Sequence, residues 1–146
     1  MPDDRANAST DPAIEAVLRY ARQFETLDPK AVSACYHQPC MVISPQGVVA
    51  LATHTDVAGF FERLMKDLQA RGYKTTEFEG LKATSLSSIV SVVTGVLIWR
   101  TSAGDELERA GVTYTVRRRD SSWEIVVTVI HDPVRDLSFT SPQQAA

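Results

Sequence analysis

Residues 110–119 (AGVTYTVRRR) run through the polar turn Asp120-Ser121-Ser122 into residues 123–132 (WEIVVTVIHD), two long apolar-alternating stretches joined by a tight break. Alternation with a period of two marks a half-buried strand, and the short break makes the pair an antiparallel hairpin. A lone hairpin is at best marginally stable in water, so it predicts a larger, strongly curved sheet with something packed against its concave side. Parity picks that side. Ala110, Val112, Tyr114 and Val116 alternate with Arg109, Gly111, Thr113, Thr115 and Arg117, which assigns the first set to the core. Trp123, Ile125, Val127 and Val129 share a parity and are expected to share one face of the last strand.

The rest of the chain supplies the partners. Asp11-Pro12 is a helix start, a capping carboxylate before a proline whose missing N–H costs nothing at the first position. Ile14, Val17, Leu18, Ala21 and Phe24 then recur at helical spacing. Asp28-Pro29 repeats the signal and opens a second helix through Ala31, Val32 and Cys35, ending near Tyr36, with Pro39 as its stop. Residues 40–44 read as a short strand, Pro45-Gln46-Gly47 as a turn, and residues 48–52 as a second strand. Thr55 and Asp56 begin a third helix with an apolar stripe of Val57, Phe60, Phe61, Leu64, Met65 and Leu68, closed by Gly72. Strands follow at about 73–86, 88–101, 106–119 and 122–132, giving the order α-α-β-β-α-β-β-β-β.

The strand at 88–101 is apolar on both faces, with Val90, Val92, Val96 and Ile98 on one and Ile89, Val93, Leu97 and Trp99 on the other. Helices can cover only one of these, so the second face calls for the same sheet of a second subunit, a back-to-back homodimer.

Charge and cysteine usage narrow the function classes. With 15 Lys and Arg against 18 Asp and Glu, the formal charge is -3, and the one basic cluster, Arg117-Arg118-Arg119, runs straight into Asp120. That balance gives no pull toward nucleic acid. No apolar run reaches the roughly 20 residues of a membrane span, and MPDDRANASTD lacks the basic-then-apolar order of a signal peptide, so a cytoplasmic protein with no membrane partner is expected. Cys35, His37 and Cys40 lie close together without a second pair to complete a metal site. Both cysteines are read as small buried apolar residues, and neither metal nor cofactor is expected. One domain over residues 11–137 is expected, with loosely ordered polar tails at 1–10 and 138–146.

The element order, the helix segment VAGFFERL (57–64) and the closing TYTVRRRDSSWEIV (113–126) together resemble the nuclear-transport-factor-2-like (NTF2-like) superfamily. This is the cystatin-type α+β cone shared by ketosteroid isomerases, SnoaL-like polyketide cyclases and scytalone dehydratases. The resemblance spans residues 11–133 and implies a curved mixed or antiparallel sheet covered by three N-terminal helices. It carries no single function, because the fold hosts many unrelated chemistries.

A sharper likeness to ketosteroid isomerase runs from Arg19-Tyr20 through Tyr36 to Ser44-Pro45-Gln46-Gly47. It implies that Tyr20 corresponds to the tyrosine that donates to the developing enolate oxygen. The position of that enzyme's proton-abstracting aspartate is Ser44, and its second, protonated acid falls near Val112. A serine without its own base does not abstract protons near neutral pH, and valine offers no hydrogen bond, so the isomerase mechanism is not expected.

What remains is an apolar cone decorated with hydroxyls. Its expected lining is Tyr20, Tyr36, Ser44, Trp99, Val112 and Tyr114, with His54 at the mouth, and it suits a small uncharged hydrophobic ligand. One reading is a SnoaL-like isomerase, cyclase or dehydratase acting on a carbonyl compound. Tyr20 would donate to the carbonyl, while His54 or Ser44 with a water would move the proton. The other is a non-catalytic binding or assembly domain. Tyr20 itself suits core packing as well as donation, His37 suits solvent, and His131 suits the strand end or dimer interface better than catalysis.

Overall fold

The computed structural model describes residues 11–132, so the expectations for the tails and for the domain end at 137 lie outside the described residues. The Asp11 carboxylate accepts the backbone N–H groups of Ala13 and Ile14 at 2.9 and 3.3 Å and opens α1, Pro12–Glu25. Its buried face is Ala13, Ala16, Val17, Tyr20, Ala21 and Phe24. Compared with the predicted stripe, the face is rotated toward the alanines, which let the helix lie close to the sheet, and it takes in Tyr20, which the stripe did not include.

Asp28 caps α2 through Lys30 N–H at 3.0 Å, but α2 covers only Pro29–Ser33. Tyr36 does not end a helix; it begins β1, Tyr36–Ser44, and Pro39 lies inside that strand after a cis peptide bond. The proline is tolerated because β1 leaves its ladder with β6 between Tyr36 and Met41, where no N–H is required. β2 is Gly47–Leu51. The third helix, α3, spans His54–Ala70 and starts earlier than Thr55 because Thr53 is the cap, its hydroxyl accepting Asp56 N–H at 3.2 Å.

β3 (Tyr73–Ser85), β4 (Val90–Thr101), β5 (Glu106–Arg119) and β6 (Ser122–His131) complete one six-stranded sheet, ordered β2-β1-β6-β5-β4-β3. β1 runs parallel to β6 and every other pair is antiparallel. The sheet is curved and unclosed, with the helices on its concave side. Irregularities in strand pairing supply the bend. β3 breaks register between Glu79 and Lys82 opposite Gly95, where a Cβ would lie 2.9 Å from Leu81 Cδ2 and 3.0 Å from the Glu79 carbonyl oxygen. Glycine is what lets the bent strand lean over β4.

A second irregularity changes which side chains reach the core. Thr115 pairs with Val127 but Val116 pairs with Ile125, so Val126 is an extra residue on β6. The predicted common face of Trp123, Ile125, Val127 and Val129 is therefore wrong. Trp123 and Ile125 face inward, the bulge reverses parity, and Thr128 and Ile130 face inward after it while Val127 and Val129 turn out. His131 lies on the outer face with the valines rather than on the Trp123 side. A Cβ at Gly111 would sit 2.5 Å from its ring, and its Nε2 lies 3.0 Å from the Thr113 hydroxyl.

The parity predicted for β5 holds: Val112, Tyr114 and Val116 are fully buried and Ala110 partly so. On β4, Val93 and Leu97 face in and Val92 and Val96 face out. Ile98 is buried on the outer face, between its cross-strand neighbours Glu77 and Arg109. Those two belong to an ionic cluster, Arg100 with Glu77 at 3.1 Å and Arg109 with Glu79 and Glu106 at 3.2 and 3.0 Å, so one end of the outer face is polar.

Candidate functional site

The inward side chains of the bent sheet do not fill the space beneath the helices, and a cavity of about 240 Å³ remains. Its floor is formed where α1, β1, β5 and β6 meet. Tyr20 from α1 stands edge-on to Tyr36 from β1, ring centroids 5.5 Å apart, and to Tyr114 from β5 at 6.0 Å. The Tyr36 and Thr128 hydroxyls share a 2.7 Å hydrogen bond, so the inward turn of Thr128 at the bulge gives the floor its anchor. Phe60, Phe61 and Leu64 of α3 form one wall, and Leu97, Trp99 and Ala110 the other. Trp99 is held by stacking on Phe24, centroids 5.6 Å apart and planes within 10°.

Burial raises the pKa of all three tyrosines far above the ordinary phenol value. For Tyr20 the Tyr36 hydrogen bond works in the opposite direction but does not overcome burial. For Tyr36, neighbouring Tyr20 and Tyr114 add to the rise, and Thr128 opposes it. The floor is therefore a set of neutral O–H groups at any physiological pH, donors rather than bases. Among the described residues no buried side-chain N or O atom lacks a hydrogen-bond partner.

The rim is more polar. Ser44 donates to Gln46 Oε1 at 3.0 Å and accepts Gln46 N–H at 3.2 Å, and both side chains line the opening. Glu108, the cross-strand partner of Trp99, is the one carboxylate along the lining. Its Oε2 accepts Arg71 Nη2 at 3.0 Å.

Of the residues picked out from sequence, Tyr20, Tyr36, Ser44, Trp99 and Tyr114 meet around this cavity. Val112 faces the same way but is packed into the core with no exposed surface and does not line the cavity. His54 is also absent from the lining. As the first residue of α3 it turns toward β1, donating Nε2–H to the Tyr36 carbonyl at 2.7 Å, while its backbone N–H donates to Gln38 Oε1. It tethers helix to strand from behind Tyr36 and cannot exchange protons with a ligand in the cone. His37 bonds the Pro39 carbonyl and His131 sits on the outer face, so no histidine lines the cavity.

Thr128, Ile130 and Glu108 line it without having been foreseen. The only sequence sign for the first two was the unbroken run Ile125-Val126-Val127, where alternation gives no parity. Glu108 has the inward parity of Ala110 and Tyr114 but lies past the last apolar residue of the set. Cys35 and Cys40 are both buried free thiols, and burial raises the Cys40 thiol to about 11. No three His, Cys, Asp or Glu side chains among the described residues are grouped to hold a metal ion, and none of the described helices is long and apolar enough to cross a membrane.

The model of a family described as NTF2-like protein (DUF6841) matches residues 11–133. The chain belongs to this NTF2-like family. Solved structures agree on the fold. A cystatin-like protein of unknown function from Nostoc punctiforme superposes with a TM-score of 0.70 at 15% identity, over 86% of this chain and 91% of that one. An NTF-2 like protein of unknown function from Shewanella oneidensis gives 0.69 at 18% identity, over 84% and 98%. A candidate dehydratase of the NTF2-like family from Streptomyces avermitilis gives 0.66 at 12% identity, over 90% and 99%. At such identities the likeness is one of fold alone. No curated protein matches this NTF2-like chain.

Proposed function

We propose that this NTF2-like protein binds a small carbonyl-bearing molecule, uncharged at the end that enters its cone, without transforming it. The supporting observation is the floor: three buried, neutral phenols beside an apolar aromatic wall, with neither histidine nor carboxylate within that depth. Such a surface holds an acceptor oxygen and has no group poised to take a proton. Size narrows the ligand. At about 240 Å³ the space is smaller than a typical drug-sized pocket of roughly 300–1,000 Å³, which favours one ring with short substituents.

Acetophenone is a suitable probe. Titration calorimetry is expected to give saturable binding that weakens about ten-fold in the Tyr20→Phe, Tyr114→Phe double variant, the scale of one hydrogen bond to the carbonyl oxygen. Equal affinity in the two proteins would remove the phenols from the site. A second reading, a dehydratase or isomerase, draws support from Ser44, which lines the same cavity as Tyr20. There Tyr20 would donate to the carbonyl while Ser44 and a water move the proton. Ser44 is already engaged with Gln46 and has no base beside it, so this reading ranks below simple binding.

The protein is further proposed to work as a homodimer joined through the outer sheet face. Support comes from Val92 and Val96 on β4 and Val127 and Val129 on β6, which turn outward on either side of β5, and from Met41 and Ile43 on β1 beside the β6 valines. Sedimentation equilibrium at micromolar concentration is expected to return twice the chain mass, and a monomer there would refute the dimer.

A further inference from the structure

The cavity has two polar ends of opposite hydrogen-bonding sense. At the floor the neutral phenols offer O–H groups to a ligand's carbonyl oxygen. At the rim stands Glu108, half-exposed, with acceptor oxygens only. It is not a passive edge residue. Glu108 pairs across the strands with Trp99, so its stem continues the aromatic wall out to the opening. Arg71 reaches it from the C-terminal cap of α3, donating from Nη2 to Glu108 Oε2 at 3.0 Å and to the Leu107 carbonyl at 3.4 Å, and from Nη1 to Asp67 at 3.3 Å. Of the two Glu108 oxygens, one takes Arg71, which leaves acceptor capacity on the carboxylate. Arg71 itself is shared among three acceptors and does not line the cavity.

We propose that Glu108 is a specificity-determining residue, selecting ligands that carry a hydrogen-bond donor or cationic group at the end remote from the carbonyl and rejecting those that carry a carboxylate there. This rests on the reading of the cone as a carbonyl-binding site and extends it to a ligand class: a single-ring carbonyl compound with an amine, ammonium or hydroxyl substituent at the far end. The physical basis is the partial shielding of the rim. Water and Arg71 weaken the carboxylate's field there but do not cancel it, so opposite and like charges are still distinguished.

Three probes on one scaffold test this: acetophenone, its para-aminomethyl derivative and para-acetylbenzoate, titrated calorimetrically at low salt into wild type, Glu108→Gln and Arg71→Met. In wild type the aminomethyl probe is expected to bind roughly ten-fold tighter than the carboxylate probe, a modest free-energy gap suited to a screened charge. Glu108→Gln is expected to shrink that ratio to about two-fold or less. Arg71→Met, by freeing the carboxylate, is expected to widen it. Thermal melting of each variant confirms that it is folded. If all probes bind but the ratio is the same in the three proteins, the role of Glu108 is overturned and the carbonyl site stands. If none of the probes binds wild type, the carbonyl site falls and this inference with it.

Discussion

Replacing Phe24 with alanine is expected to lower the unfolding free energy by about 3–5 kcal/mol, the range for deleting a fully buried aromatic side chain. Phe24 is 1% exposed at the point where α1 meets the sheet. It stacks on Trp99 and stands edge-on to Tyr73 at 5.5 Å and to Tyr20 and Phe61 at 6.0 Å each. Its loss therefore removes apolar burial and four ring contacts at once, each such pair contributing roughly 0.5–1.5 kcal/mol beyond area, though not additively. The neighbouring rings belong to two helices and two strands and cannot all move inward to fill the gap. Urea denaturation followed by tryptophan fluorescence gives the measurement, with Phe24→Leu expected to lose clearly less. A loss below about 1 kcal/mol would mean that the core collapses around the deletion, contrary to the rigidity inferred from this packing.

Ala110→Phe is expected to abolish ligand binding while leaving the fold in place. Ala110 projects into the cavity beside its cross-strand partner Leu97, so a phenyl ring grown from it enters empty space rather than packed core. In a cavity of about 240 Å³ that ring takes much of the room a one-ring ligand needs. Acetophenone affinity should fall at least about a hundred-fold, close to 2.8 kcal/mol. The melting temperature should hold or rise, because filling a void adds contacts without displacing any. Retained affinity in a folded variant would place the ligand elsewhere on the molecule.

Much of the site was legible from local patterns. Alternation along residues 110–116 placed Tyr114 on the inner face, and helical spacing put Tyr20 near the core, because burial on a regular element follows from its period. The second half of the final strand was misread for the converse reason. One extra residue, Val126, reverses every side chain after it, and a run of three β-branched apolar residues gives no sign of where the extra residue lies. Thr128, the hydrogen-bond partner of Tyr36, was hidden by that reversal. His54 was misjudged for another reason: a residue between a strand and a helix can turn toward either, and the choice went to the free Tyr36 carbonyl of β1.

The sequence alone determined the element order, the inner face of β5 and the capped starts of α1 and α2, since each depends on residues near one another in the chain. Only the tertiary structure decided where Tyr36 and Pro39 belong, how the bulge at Val126 turns Thr128 inward, and that Glu108 and Arg71 meet at the rim. Those outcomes depend on pairing between segments far apart in sequence, and the residues involved carry no local preference strong enough to announce them.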